Sequence, residues 1–249
     1  MKKNKMRDCY YNPNFKPIKL NEMKEKMKEA LRPIYERMLA DESISKLSEK
    51  DYCCMAPVVG NNYPKEPRTG FMFYGRANNG WEVGVDDTFD TIYNAQLDGL
   101  YKYINEDNDS AFFRVAGRVF SECYGDDWLN HVVYSNLYKV APNAGNPNSS
   151  TCDAQWEYVT EIFKKEIETL LPKFVVLFAG TNWADDFIWY INGEEMPQPL
   201  ETKKWSDDYR YSLSVYKIDE VYYIVSEHPQ GKKEDLHAEA ILSIFEKYK

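Results

Sequence analysis

The run Tyr223-Ile-Val-Ser-Glu-His228-Pro229-Gln-Gly231 carries an apolar stretch straight into an imidazole, a proline and a glycine, with Lys232 and Lys233 next. A strand that ends this way brings an imidazole, a rigid turn and a helix N-terminus to one place, as open α/β sheets do when they build sites at strand ends. His228 can donate a hydrogen bond to a carbonyl oxygen that gains negative charge, and backbone N–H groups around Gln230–Lys232 point the same way. The competing reading is a histidine that caps the strand and bonds a carbonyl.

Three further apolar runs end in polar, Gly- or Asn-containing turns: Phe71–Gly75, Val132–Asn136 and Phe174–Gly180. Asn136 has an amide that both donates and accepts, as needed to read a polar ligand edge, or to form a turn. Asn78 and Asn79 sit in a Gly-flanked loop, where an amide orients a water more than it activates one. Asp86 and Asp87 are close in sequence and read as caps of the next helix. Trp81 is either a ring that stacks on a flat ligand or a core residue. Arg76, Lys139, Lys232 and Lys233 fall at the same end of the runs and form a candidate basic patch; solvated side chains are the plainer reading for Arg76 and Lys139, and phosphate contact the favoured one for Lys232 and Lys233, beside a helix N-terminus.

The elements that must position these residues follow from periodicity. Met23, Met27, Leu31, Ile34 and Met38 mark a helix over about 20–39, with Pro33 as a candidate kink. Residues 41–69 are turn-rich. Strands over 70–74, 131–135 and 174–179 alternate with helical patterns over about 88–104, 110–123 and 153–171. Ser150, Thr151 and Asp153 read as caps of the last of these. A short helix holds Phe187 and Trp189, 209–218 and 221–226 read as a hairpin about Asp219-Glu220, and a helix over 235–248 closes the chain. Alternating strands and helices predict an α/β domain with a mostly parallel sheet and helices on both faces.

Composition bounds the partners. The 249 residues hold 31 Lys+Arg against 40 Asp+Glu, a net charge of −9, which weighs against tight non-specific DNA binding. Five cysteines without C-x-x-C spacing support neither a disulfide framework nor a zinc site, so no metal is expected. The basic N-terminus has no apolar core of a secretory signal and no run is long enough to span a membrane, so a cytoplasmic protein without a membrane partner is expected.

The order of the four turns resembles the uracil-DNA glycosylase superfamily. In that family the first strand ends in a Gly-containing water-activating loop, often G-x-N-P-G. The second ends in an Asn that reads the base, and the last in His-Pro-Ser or a relative. Here the matching stretches are Phe73-Tyr-Gly75-Arg-Ala-Asn78-Asn79-Gly80, Val133-Tyr-Ser-Asn136 and Glu227-His228-Pro229-Gln230-Gly231. Ser135-Asn-Leu-Tyr-Lys139-Val-Ala-Pro142 and Leu171-Pro-Lys-Phe-Val-Val-Leu-Phe-Ala-Gly180 are similar to bacterial members. The likeness runs from about 70 to 248. It implies a three-layer α/β sandwich around a central, mostly parallel four-stranded sheet over 70–249, with 1–69 as an N-terminal helical extension.

The resemblance further implies DNA repair chemistry: recognition of a flipped, uracil-like base in DNA and its hydrolytic removal, without metal or organic cofactor. Asn78 and Asn79 would position water, Gly75 and Asn136 would meet the base, His228 would stabilise the leaving group and Trp81 would stack. The Asp-Pro or Asn-Pro pair of the first loop and the Ser after His-Pro are missing, and no cysteine pattern fits an iron–sulfur cluster. Those departures and the acidic balance favour the alternative, a non-catalytic member of the same fold that binds a nucleotide, a nucleobase or a protein. A third reading, a small α/β esterase, starts from Glu234-Asp-Leu-His237 and Gly180-Thr-Asn182. It needs a nucleophilic Ser after the first strand, where Gly75-Arg-Ala-Asn78 has none, so His237 is read as a helix-surface residue.

Overall fold

The structure, a computed structural model, describes residues 22–78, 83–95, 100, 110–206 and 211–249. Four strands are apolar at nearly every position: β3 (Phe71–Gly75), β4 (Val132–Asn136), β6 (Phe174–Phe178) and β9 (Val221–Ser226). Such runs fit strands covered on both faces, and these four lie side by side and parallel in the order β4-β3-β6-β9.

The expected sheet of four strands is the middle of a mixed sheet of seven: with β2 (Val58–Val59), β7 (Glu201–Lys204) and β8 (Ser212–Ile218) the order is β2-β4-β3-β6-β9-β8-β7. The additions are antiparallel: β2 on β4, β8 on β9, and β7 on β8. β8 and β9 form the hairpin expected about Asp219-Glu220. β1 (Tyr52–Cys54) pairs separately with β5 (Val140–Pro142).

Alternate strand residues face two cores. Met72, Tyr74, Val133, Val175, Leu177 and Tyr223 join helices α1 (Glu22–Ala40), α4 (Ser149–Leu170) and α5 (Thr181–Ile191). Phe73, Tyr134, Val176, Phe178 and Ile224 join α3 (Ala111–Tyr124) and α6 (Glu234–Lys247). The short α2 (Glu42–Ser45) follows α1 and is capped by Asp41, which accepts from the Ser43 N–H. α1 runs through Pro33. Its buried Met27, Leu31 and Ile34, and the Tyr35 hydroxyl on the Met55 carbonyl at 2.7 Å, offset the hydrogen bond that a proline cannot donate.

Two boundaries differ from expectation. Of residues 1–69, read as an N-terminal helical extension, the described part supplies α1 to the first core, β2 to the main sheet and β1 to the β1–β5 ladder. Helix α4 starts earlier than its Ser and Thr residues suggested, because Asn148 accepts the Thr151 N–H at 2.9 Å and takes the cap position. Likewise Thr88, not Asp86 or Asp87, caps the helical residues 89–95 by accepting from Thr91 N–H at 3.2 Å, while Asp87 holds the Gly84 N–H at 2.9 Å. Among the described residues no helix is long and apolar enough to cross a membrane.

Candidate functional site

Pairing register places Gly75 beside Asn136 and Phe178 beside Ser226, with Tyr74 beside Leu177, so the four parallel strands end in one row. The chain order reverses between β3 and β6, since β3 connects towards β4 on one side and β6 towards β9 on the other. Open α/β sheets bind ligands in the crevice outside such a point. Backbone bonds hold the crevice walls: Leu137 N–H to Gly75 O at 3.0 Å, Tyr138 N–H to Arg76 O at 2.9 Å and Gly180 N–H to Ser226 O at 2.8 Å.

His228 stands at the rim of this crevice, partly buried. Its Nδ1 accepts the Gln230 N–H at 3.3 Å, which places the proton of the neutral ring on Nε2. Among the described residues Nε2 has no hydrogen-bond partner. The ring stacks on Phe112 with centroids 5.9 Å apart and planes at 25°. Burial, then Arg76 and Lys232, pull the imidazole down to a pKa of about 4, so at neutral pH it is an uncharged donor.

Asn78 and Asn136 are brought together, but inward. Asn78 Nδ2 donates to the Lys139 carbonyl at 2.9 Å, and Asn136 Nδ2 donates to Asn78 Oδ1 at 3.0 Å. Each is 1% exposed. Both polar atoms of Asn78 are thus used within the protein, which leaves it as a brace for Asn136 and not a holder of water. Asn136 Oδ1 is buried without a partner and lies against Gly75, whose missing side chain makes room for it: a Cβ there would collide with that oxygen and touch the Phe112 ring at 3.4 Å.

Lys139, expected in a basic patch, is instead completely buried. Its Nζ donates to the Asn136 carbonyl at 2.6 Å, Ser135 Oγ at 2.7 Å and Glu166 Oε1 at 2.9 Å, which uses all three of its protons. Glu166 also accepts from the Tyr74 hydroxyl at 2.7 Å and Ser135 Oγ at 3.1 Å. The network is structural. A sequence signal for it existed: Glu166 sits among Val159, Ile162, Phe163 and Ile167 on the core face of α4, and a core carboxylate calls for a cation.

Of the remaining residues, Asn79 and Trp81 lie outside the described residues. Lys232 reaches the Gln230 carbonyl at 3.5 Å and the Tyr211 ring at 5.4 Å, and Lys233 is the exposed N-cap residue of α6. His237 is not on the helix surface: it is fully buried, hydrogen-bonded to Ser226 Oγ through Nε2 at 2.6 Å and stacked on Trp205 at 4.4 Å. Its neighbours Ala238 and Ile241 belong to the apolar face of α6, which places it there too.

Sequence reasoning passed over two residues of the crevice. Glu227 was overshadowed by His228, and Trp183 by the turn before it. Arg76 follows the end of β3 and reaches the turn after β6, with Nε donating to the Ala179 carbonyl at 2.7 Å and its guanidinium over the Trp183 ring at 5.6 Å. Burial lowers the pKa of Arg76, and the nearby Glu227 carboxylate opposes that shift. Trp183 also lines an open cavity of roughly 430 Å³ with Tyr138, Asn148, Cys152, Asp153 and Asn182. Among the described residues no group of three or more His, Cys, Asp or Glu side chains comes together as a metal site. No family model and no curated protein matches the chain.

Proposed function

We propose that the crevice at the ends of β3, β4, β6 and β9 recognises a base flipped from DNA and cleaves its bond to the sugar, on a three-layer scaffold like that of uracil-DNA glycosylases. In this hydrolysis the C1′–N bond breaks and the electron pair leaves with the base; a water oxygen bonds to C1′ and gives its proton to surrounding water, from which the released base takes one up. A base carbonyl oxygen carries the departing charge. The observation that carries the proposal is the His228 ring, whose Nδ1 is held by Gln230 N–H, leaving an uncharged Nε2–H donor without a partner. A neutral donor of this kind stabilises a developing oxyanion without having been spent on a ground-state ion pair.

The test is incubation of the full chain with uracil-containing single- and double-stranded oligonucleotides, followed by alkali to reveal abasic sites. Wild-type protein is expected to produce strand breaks. His228→Ala is expected to lose about 10²–10³-fold in rate, the usual effect of removing one oxyanion donor. Absence of breaks at high protein concentration would reject uracil excision.

One observation favours the second reading, a nucleobase- or nucleotide-binding protein without catalysis. Asn78 is 1% exposed, and both polar atoms of its amide are engaged, by Lys139 O and Asn136 Nδ2, so it faces the protein and not a water in the crevice. Binding of free nucleotides that is insensitive to salt, without abasic-site formation, would select that reading, whereas DNA binding falls steeply with salt.

A further inference from the structure

β7 (Glu201–Lys204) ends the seven-stranded sheet, and among the described residues no strand pairs with its outer side. Its ladder with β8 sets which atoms that side offers. Lys203 pairs with Leu213, and the Trp205 N–H donates to the Tyr211 carbonyl at 3.0 Å, so the odd-numbered residues bond inward. An antiparallel ladder alternates, which turns the N–H and C=O groups of Thr202 and Lys204 outward. The side chains alternate as well. Glu201 and Lys203 face α6, where Glu201 Oε2 meets the Lys247 ammonium and Lys203 Nζ donates to Ser243 Oγ at 2.5 Å. Thr202 and Lys204 are exposed on the other face, with Thr202 Oγ1 3.1 Å from Ser214 Oγ. Leu200, just before the strand, is 52% exposed.

An unpaired edge attracts a second strand, and lysines on it repel one wherever they meet each other. When two copies of β7 run antiparallel in one sheet, the two-fold axis stands perpendicular to that sheet. The copies then share their faces, and residues of like parity meet. Registers centred on Glu201, Lys203 or Lys204 set like charges against each other, which is unfavourable. The register centred on Thr202 sets Glu201 of each chain opposite Lys203 of the other, twice, and Lys204 opposite Leu200. We infer that β7 is a self-complementary edge through which two copies of this chain join their sheets, with Thr202 on the axis. The outward N–H and C=O groups of the two Thr202 residues bond each other there. Glu201 and Lys203 of opposite chains meet at non-hydrogen-bonded positions, where side chains come closest. Each has capacity to spare: among the described residues Lys247 takes Oε2 of Glu201 and leaves Oε1, and Ser243 takes one of three Lys203 protons. The charges on this edge therefore select one register and one partner.

The test is the mass of the full chain in solution, read by sedimentation velocity over a dilution series. Wild type is expected to move from 29.3 kDa towards twice that mass as concentration rises. Lys203→Glu turns two opposite-charge contacts into two like-charge ones and is expected to raise the dissociation constant by about tenfold or more. Exchanging the charges, Glu201→Lys together with Lys203→Glu, remakes both contacts and is expected to bring the dimer back, which a misfolded variant does not do. A wild-type chain that stays at 29.3 kDa throughout overturns the inference. So does a dimer that Lys203→Glu leaves equally tight, or one that the exchange fails to restore.

Discussion

Lys139 Nζ lies 2.9 Å from Glu166 Oε1, and neither side chain has any exposed surface. The ammonium also holds the carbonyl of Asn136, and the Lys139 carbonyl holds the side chain of Asn78, so one buried pair fixes the turn after β4 from both sides. Burial lowers the pKa of Lys139, and Glu166 works against that shift. Burial first, and then Glu166, raise that of Tyr74, which keeps its hydroxyl as a donor. Removing one member leaves an uncompensated charge in the core, at a cost of about 3–5 kcal/mol. Lys139→Met is therefore expected to lose stability by that order in urea unfolding. Lys139→Met with Glu166→Leu is expected to recover a large part of it. A double variant no more stable than the single one would show that the pair does not act as a unit.

The contact of Gly75 with Asn136 gives a second prediction. A methyl group on residue 75 collides with Asn136 Oδ1, and Asn136 has little freedom to retreat because its Nδ2 is held by Asn78 Oδ1 at 3.0 Å and Met55 Sδ at 2.9 Å. Gly75→Ala is expected to destabilise the fold by about 1–3 kcal/mol, the range for inserting a group into a packed site. Thermal unfolding measures it, and an unchanged midpoint would mean that Asn136 swings aside at no cost.

These relations explain which parts of the molecule were legible in the sequence. The strands ending at Gly75, Asn136, Phe178 and Ser226 were, because sheet residues covered on both faces are apolar in unbroken runs. β2 was not, since Val58-Val59 follows a proline and is two residues long, and β7 was not, since Glu201-Thr-Lys-Lys is a polar edge. The ends of the strands named the crevice, but not the direction of each side chain within it. Asn78, Asn136 and Lys139 turn inward because a buried amide and a buried carboxylate need them, and the partner that demands this, Glu166, is distant in sequence. Arg76 and Glu227 meet only through the order β3-β6-β9, a non-local fact that no local pattern encodes.

Two histidines set the response to acid. Burial is the first cause for both: it takes His228 down to about 4 and His237 to about 3, from an ordinary value of 6.5. In each case the folded state holds the proton less tightly than the unfolded chain, so unfolding takes up protons once the pH falls below 6.5. Their contribution is complete above that value and is lost progressively as the pH falls towards 4 for His228 and 3 for His237. For His237 the cost of protonation is plain in the geometry: Nε2 is committed to Ser226 Oγ, Nδ1 is buried without a partner, and the ring lies flat on Trp205. Urea midpoints measured from pH 7.5 to 4.5 are expected to drop. His237→Gln, which cannot titrate, is expected to start lower at pH 7.5 and to fall less steeply. Proton NMR of the imidazoles should place both titrations below pH 5, and a normal titration near 6.5 for His237 would refute the buried, neutral ring.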